Sequence, residues 1–516
     1  MLEHLLKSAL PAVALTAALA AGLAEPAAAG GPVETFAPGP FSVGTLDWDF
    51  GNVQVSPVTG VNPLNVQHFG TIAYPATSDG EGAQLAPGFP FPLVVFAHGR
   101  FHQAPYIGQN HKQASYLLEH LASWGYIVAS VNLDVVGQFS FPAAIPQRGE
   151  LIHHTLSSFL AADPGGVFLD HGRVAVIGHS RGGDGAIQAQ ITNPDGNPIH
   201  AVATIAPTDF DNTFVGPVPY FGLYGSKDGD VNNGWPIHQY DKAFGQDKAF
   251  EYIHGANHFW FTDSIHFSGE GNGTITREQH HDIARTYFTY FLRSVFGQNG
   301  DPQFTELCDG PSLFPVTDTA VILPSHRPLG QLIVNSFQDT PLDPGTNSLD
   351  GLSLGSSLLT LAEQNLNNTA QTFYHRTSAA QIIFDNPGPP LSYYVEELPG
   401  TTDVTGWSHL SIRALQRYNA TQNTAGVDQD LTFVLVDEDF DLGFATLSDH
   451  GRIAYPAVHS GFQFPSKSVL HTTRVPLTTF TDSNPAFDLD RTIIVALVFA
   501  NTTSGDLRID DIAFTD

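Results

Sequence analysis

Val174-Ala-Val-Ile-Gly-His-Ser-Arg-Gly-Gly183, running into Ala186-Ile-Gln-Ala189, decides the fold. Val174 to Ile177 is a short unbroken apolar run, the pattern of a parallel strand covered on both faces. Ala186 to Ala189 belongs to a helix, so Gly178 to Gly183 forms the strand-to-helix turn between them. Ser180 stands at its apex, flanked by Gly178 and Gly182. A turn this sharp crowds any Cβ at the flanking positions and draws the helix close to the strand. Gly-x-Ser-x-Gly alone is a weak signal, but between an apolar strand and a helix it marks a serine nucleophile.

The same alternation extends from about Phe41 to Gly297. Leu93 to Ala97 and Tyr126 to Val131 are strand runs. Between them, over Asn110 to Trp124, Ala114, Leu117, Leu118 and Leu121 recur at helical spacing until Gly125 stops the helix. A helix is expected around Glu150 to Leu160, and strands at Ala201 to Ile205, Val218 to Tyr224 and Ala249 to Ile253. Thr276 and Gln279 form a capping box for a last helix with the stripe Ile283, Tyr287, Phe291, Val295. Repeated βα units predict a doubly wound α/β sheet.

Beyond Gly297 the helical patterns give way to short alternating segments. Leu431 to Val436, Ser468 to Val475, Thr492 to Phe499 and Leu507 to Phe514 read as strands of half-buried antiparallel sheets. Three regions are therefore expected: an export signal over 1–29, an α/β catalytic domain over 30–300, and an all-β sandwich over 301–516. The signal rests on Lys7, the Ala/Leu stretch from Ala9 to Ala24 and the small residues Ala27-Ala28-Ala29. It makes a secreted protein the expectation. No other run approaches the roughly 18 apolar residues of a membrane span.

The chain has 51 acidic residues against 21 Lys and Arg, a net charge of −30. Such a surface repels nucleic acid and anionic lipid and argues against both as partners. It fits a soluble exoenzyme, or one adapted to salt that screens its self-repulsion. Cys308 is the single cysteine, so neither an intramolecular disulfide nor a thiolate metal site can form.

A serine hydroxyl needs a base to take its proton and an acid to orient that base. Both are expected after Ser180, at later strand ends, in the order acid then histidine. Asp228 follows the Val218 to Tyr224 strand, and His258 follows the Ala249 to Ile253 strand in His254-Gly-Ala-Asn-His258. Asp230 and Asp209 are rival acids, and His254 is the rival base, expected to be buried on its strand. The alternation Asp228, Asp230, Asn232 also spaces oxygens as a calcium loop would, although no later bidentate Glu completes it. Two backbone N–H groups should hold the oxyanion: Arg181, after the nucleophile, and Arg100, in the His98-Gly-Arg-Phe101 loop. His98 is expected to be a structural hydrogen-bonding residue. Too few residues separate Ser180, Ala201 and Val218 for a large helical lid, so an open site for bulky esters is expected.

On Leu121-Ala-Ser-Trp-Gly-Tyr-Ile-Val-Ala129, Val176-Ile-Gly-His-Ser-Arg-Gly-Gly183 and Ala206-Pro-Thr-Asp209 through Gly225-Ser-Lys-Asp228, the segment from His68 to Phe296 resembles the bacterial cutinase and polyester (PET) hydrolase-like group of α/β-hydrolases. Dienelactone hydrolases and platelet-activating-factor acetylhydrolases are more distant. The resemblance implies ester hydrolysis by Ser180, His258 and Asp228 without a metal, with Arg100 and Arg181 as oxyanion donors. Members active on aromatic polyesters carry an aromatic residue where Arg100 stands, a Trp where Thr208 stands, and commonly a Met at Arg181. Phe101, Thr208, Trp235 and Trp260 are the substrate-binding candidates that remain. The last hundred residues, with Thr473-Arg-Val-Pro-Leu477 and Gly505-Asp-Leu-Arg-Ile-Asp-Asp-Ile512, resemble carbohydrate-binding jelly rolls. That likeness implies a polysaccharide or polymer surface as partner, and a structural calcium for which Asp510 or Asp511 would supply ligands.

Overall fold

The computed structural model describes residues 37–58, 62–100, 108–136, 144–263, 273–297, 321–338, 345–385, 391–459 and 465–516. The expected signal over 1–29, Phe101 and Cys308 lie outside them. In chain order the first part runs β1 (Ser42–Val55), β2 (Leu64–Ala76), β3 (Gly80–Glu81), β4 (Phe91–Ala97), α1 (Ser115–Ser123) and β5 (Ile127–Val131). It continues with α2 (Ile145–Ala162), β6 (Leu169–His179), α3 (Arg181–Thr192), β7 (Ala201–Ile205) and β8 (Tyr220–Gly225). Then come α4 (Trp235–Lys242), β9 (Lys248–Ile253), α5 (Arg277–Val295) and β10 (Ile322–Arg327).

These strands form one sheet in the order β10-β9-β8-β7-β6-β4-β5-β2-β1-β3. β5, β4, β6, β7, β8 and β9 run parallel, while β2 and β10 join antiparallel at the two sides. β4, β5, β7, β8 and β9 are buried at every position, which is why they read as mainly apolar runs rather than alternating ones, with Lys248 and Glu251 of β9 the charged exceptions. The chain leaves β4 toward β5 and leaves β6 toward β7. The carboxyl ends of β4 and β6 therefore flank a switch point, where open α/β sheets hold their ligands. This is the doubly wound arrangement of an α/β-hydrolase.

In this part, one helix start and one strand differ from the sequence reading. The helix expected from Asn110 starts at Ser115, because Asn110 Nδ2 donates to Asp134 Oδ1 at 2.7 Å and holds a 3₁₀ turn there. Residues 322–327, assigned by sequence to the second region, return to the first sheet as β10 against β9.

The second part comprises β11 (Gln331–Asn335), β12 (Ser353–Gly355), β13 (Thr360–Asn365), β14 (Ser378–Asp385), β15 (Ser392–Thr402) and β16 (His409–Gln416). β17 (Thr432–Asp437), β18 (Leu442–Thr446), β19 (His471–Pro476), α6 (Leu477–Ser483), β20 (Thr492–Phe499) and β21 (Ser504–Thr515) complete it. One antiparallel sheet has the order β13-β14-β21-β16-β19, with β11 also on β21; the other is β12-β15-β20-β17-β18. Ile382, Ile412 and Ile509 of the first meet Tyr394, Phe433 and Leu497 of the second in one core. The second sheet is not half-buried as expected. Val395, Val434, Val436, Ile494 and Val498 cluster on its other face, shielded by Leu442, Phe444 and Ile493.

The β-domain meets the α/β domain through charge as well as strands. Asp241 at the end of α4 receives His375 Nδ1 at 2.9 Å and Arg413 at 3.1 Å, all three buried. Arg413 also faces Asp510 at 3.2 Å and Asp511 at 3.5 Å, and Arg327 approaches Asp511 at 3.7 Å. Asp510 and Asp511, the residues expected to supply calcium ligands, are thus paired with guanidinium groups.

Candidate active site

β6 ends in His179, and α3 starts at Arg181, leaving Ser180 alone to make the turn. Its backbone adopts φ 56° and ψ −127°, a strained conformation for a residue with a side chain. The turn is held by the Ser180 N–H on Ile205 O at 2.9 Å and by close backbone approach. A Cβ on Gly178 would strike the Gly182 carbonyl, and one on Gly182 would strike the Ala97 carbonyl. Gly99 faces Ser180 itself, since a Cβ there would lie 2.8 Å from Ser180 Cβ. The loops after β4 and β6 thus touch at Ser180.

Asp228 and His258 meet at the ends of β8 and β9. His258 Nδ1 and Asp228 Oδ2 are 2.7 Å apart, and both side chains are buried. Asp228 Oδ1 accepts the N–H groups of Val231 at 2.6 Å and Asp230 at 3.0 Å, which fixes the carboxylate plane. A proton on Nδ1 facing the carboxylate leaves Nε2 as the basic nitrogen. The two loops are pinned to each other by the Lys227 N–H on Ala256 O at 2.8 Å. His258 is also tied to the Ser180 turn, because His179 Nε2 is 3.2 Å from its carbonyl and the two rings are 4.6 Å apart.

The rival residues occupy other places. Asp230 is about half exposed, and its Oδ2 lies 3.6 Å from His258 Nε2, on the opposite side of the ring from Asp228. Asp209 binds Lys242 Nζ at 2.8 Å and Gln239 Nε2 at 3.0 Å. Asp228 has both oxygens committed to His258 and backbone donors, an arrangement that does not suit the alternative calcium loop. Burial pushes His254 down to about 3, so it stays neutral. His98 Nε2 accepts the Leu133 N–H at 2.8 Å, and its Nδ1 lies 2.7 Å from the Gly99 carbonyl. Burial, only partly opposed by Asp134, lowers it to about 4, leaving a neutral ring that shapes the loop.

The oxyanion and substrate candidates divide similarly. Arg181 opens α3, so its N–H lies in the first helical turn, where peptide dipoles favour negative charge. Arg100 is exposed on the loop after β4. The Thr208 hydroxyl donates to Asp184 Oδ2 at 2.9 Å, which holds that side chain within the protein. The Trp260 ring stands edge-on to His280 at 5.5 Å. Trp235 packs edge-on against Phe210 at 4.9 Å, and the Arg181 guanidinium lies 5.4 Å above that Phe210 ring. Phe210 has no motif to announce it; only the fold brings it beside the Ser180 turn. Arg148 of α2 was likewise unseen in the sequence: wholly buried, it donates to the His98 carbonyl at 3.2 Å.

Residues 86–209 match the family model for chlorophyllase. The matched segment runs from before β4 to just past β7 and contains the Ser180 turn, but not Asp228 or His258. No curated protein matches the chain. Among solved structures, a ferulic acid esterase from Streptomyces cinnamoneus aligns at 20% identity with a TM-score of 0.42, covering 55% of this chain and 98% of that one.

Proposed function

We propose that the protein is a secreted serine carboxylic-ester hydrolase. The observation that carries the reading is the 2.7 Å approach of buried Asp228 to His258 Nδ1, beside a strained serine turn to which His258 is tied. His258 Nε2 takes the Ser180 proton as the oxygen attacks the ester carbonyl, and Asp228 stabilises the imidazolium that forms. The Arg181 and Arg100 N–H groups receive the oxyanion. Collapse of the tetrahedral intermediate returns the proton to the departing alcohol and leaves an acyl-serine. Water, deprotonated by the same nitrogen, releases the carboxylic acid and restores Ser180. The matched family, named for cleavage of chlorophyll, supports an ester as substrate.

Between Ser180 and the end of β9 the helices are α3 and α4 alone, with none between β7 and β8. That favours short-to-medium acyl chains and bulky esters; the cutinase resemblance implies ester hydrolysis and leaves polyesters open. Hydrolysis of p-nitrophenyl esters graded by chain length tests the proposal. Ser180→Ala should lower kcat by about three orders of magnitude or more. Full esterase activity in that variant refutes the assignment, and preference for peptide anilides over esters would favour a peptidase.

A further inference from the structure

The β-domain reaches behind the loops that carry Asp228 and His258. His459 Nε2 lies 2.9 Å from Ser226 Oγ, and that oxygen accepts the Gly255 N–H at 2.8 Å. Ser226 thus bridges the Gly255 N–H and the His459 ring. It stands two residues before Asp228, and Gly255 three before His258, so one hydroxyl ties the acid loop to the base loop and His459 anchors it.

Lys467 enters beside this anchor and is fully buried. Its ammonium is 5.4 Å from the centre of the Tyr224 ring and 5.6 Å from that of Tyr374. Among the described residues its hydrogen bond is to the Pro465 carbonyl at 3.4 Å. Tyr224 in turn donates to Val231 O at 2.6 Å, and the Val231 N–H is the 2.6 Å donor to Asp228 Oδ1. An ammonium so placed needs a compensating negative charge, and the π-faces offer only part of it. Asp228 is the carboxylate whose field acts on it.

We propose that Lys467 is a positioning residue of the active site, supplied by the β-domain: its ammonium balances the Asp228 carboxylate while His459 fixes the loop that bears it. The inference rests on the Ser-His-Asp reading above. Burial lowers Lys467 to about 8, and Asp228 works against that, so the side chain is mainly cationic at neutral pH. The titratable groups facing it are Asp228 and Tyr224 from the α/β domain, and Tyr374 and His459 from its own. Burial raises both tyrosines, which stay neutral, and lowers His459 to about 4. The cation thus moderates the pull of Asp228 on the His258 imidazolium. Without it, His258 would hold its proton to higher pH.

Lys467→Met in the full chain keeps the length and removes the charge. Normalised by active-site titration, its acid limb of kcat/KM should move up by about half to one pH unit, and kcat should fall about tenfold with little change in KM. Lys467→Arg should return the limb to the wild-type position. Lower thermal stability with an unmoved limb would reduce Lys467 to packing and overturn the proposal. If Lys467→Met does not fold, His459→Gln decides: kcat should fall roughly threefold or more at constant KM, and an unchanged kcat refutes the anchor. Ser180→Ala separates the two levels. An active Ser180→Ala sinks the triad reading and this inference together, whereas an inactive one with an unmoved Lys467→Met limb sinks this inference alone.

Discussion

Asp228 and Asp230 are two residues apart on one loop, yet their chemistry differs completely. Asp228 is buried and receives His258 and two backbone N–H groups, whereas Asp230 is half exposed and approaches the other ring nitrogen. Asp228→Asn would present an amide to Nδ1 and favour the tautomer with the proton on Nε2, removing the base. Its kcat should fall about 10⁴-fold with the fold intact. Asp230→Asn, losing only an exposed charge at 3.6 Å, should cost less than about tenfold. Steady-state kinetics and circular dichroism check both, and the reverse ranking would reassign the acid. Sequence spacing placed Ser180 and His258 at strand ends but left three aspartates in contention. Burial and backbone donors distinguish them, and these exist only once the loop is closed.

Elements were legible where one force dominates. β7 was read from Ala201 to Ile205, as found, because a strand buried on both faces is apolar nearly throughout, and its one polar side chain, Thr204, pairs with Tyr220 OH at 2.9 Å. The Thr276–Gln279 capping box is present with both of its bonds. β10 was not legible, since Ile322-Leu-Pro-Ser-His-Arg327 is only partly buried and owes its strand to β9 rather than to its own pattern. The same contrast orders two substitutions. Gly182→Ala would force a methyl into the Ala97 carbonyl, backbone against backbone, between α3 and β4. It should destabilise by about 1–3 kcal/mol and lower kcat, because the Ser180 turn must shift. Thr276→Ala removes only the α5 cap and should cost about 1 kcal/mol with kcat/KM unchanged. Denaturant unfolding beside esterase kinetics separates the two, and a Thr276→Ala variant with impaired kcat would refute the division between turn and cap.

At the scale of the molecule, buried histidines set how stability depends on pH. His68, His98, His111, His280 and His281 are buried, and burial lowers each to about 4 from its ordinary value near 6.5. In the unfolded chain each takes a proton near pH 6.5, whereas the folded chain refuses it until about pH 4. Between those limits the unfolded state binds more protons, so stability falls as pH drops from about 6.5 toward 4. Buried carboxyls act in the opposite sense, Asp209, Glu396 and Asp510 among them. Burial raises Asp184 to about 7 and Asp263 to about 6, so the folded state gains protons, and stability, over part of the same range. Asp241 reinforces the histidines: burial opposes its ionisation, but His375 and Arg413 hold its carboxyl well below the usual range, so its contribution is also lost in acid. Burial also lowers His238 and His459 to about 4 and His254 to about 3, so the lowered histidines outweigh the raised carboxyls and leave a net loss of several kcal/mol by pH 4.5. The unfolding midpoint should fall by about 10 °C or more between pH 7 and 4.5. Calorimetry in buffers of different ionisation heat should register net proton uptake on unfolding near pH 5, and a midpoint that holds or rises toward pH 4.5 would mean that the carboxyls outweigh the histidines.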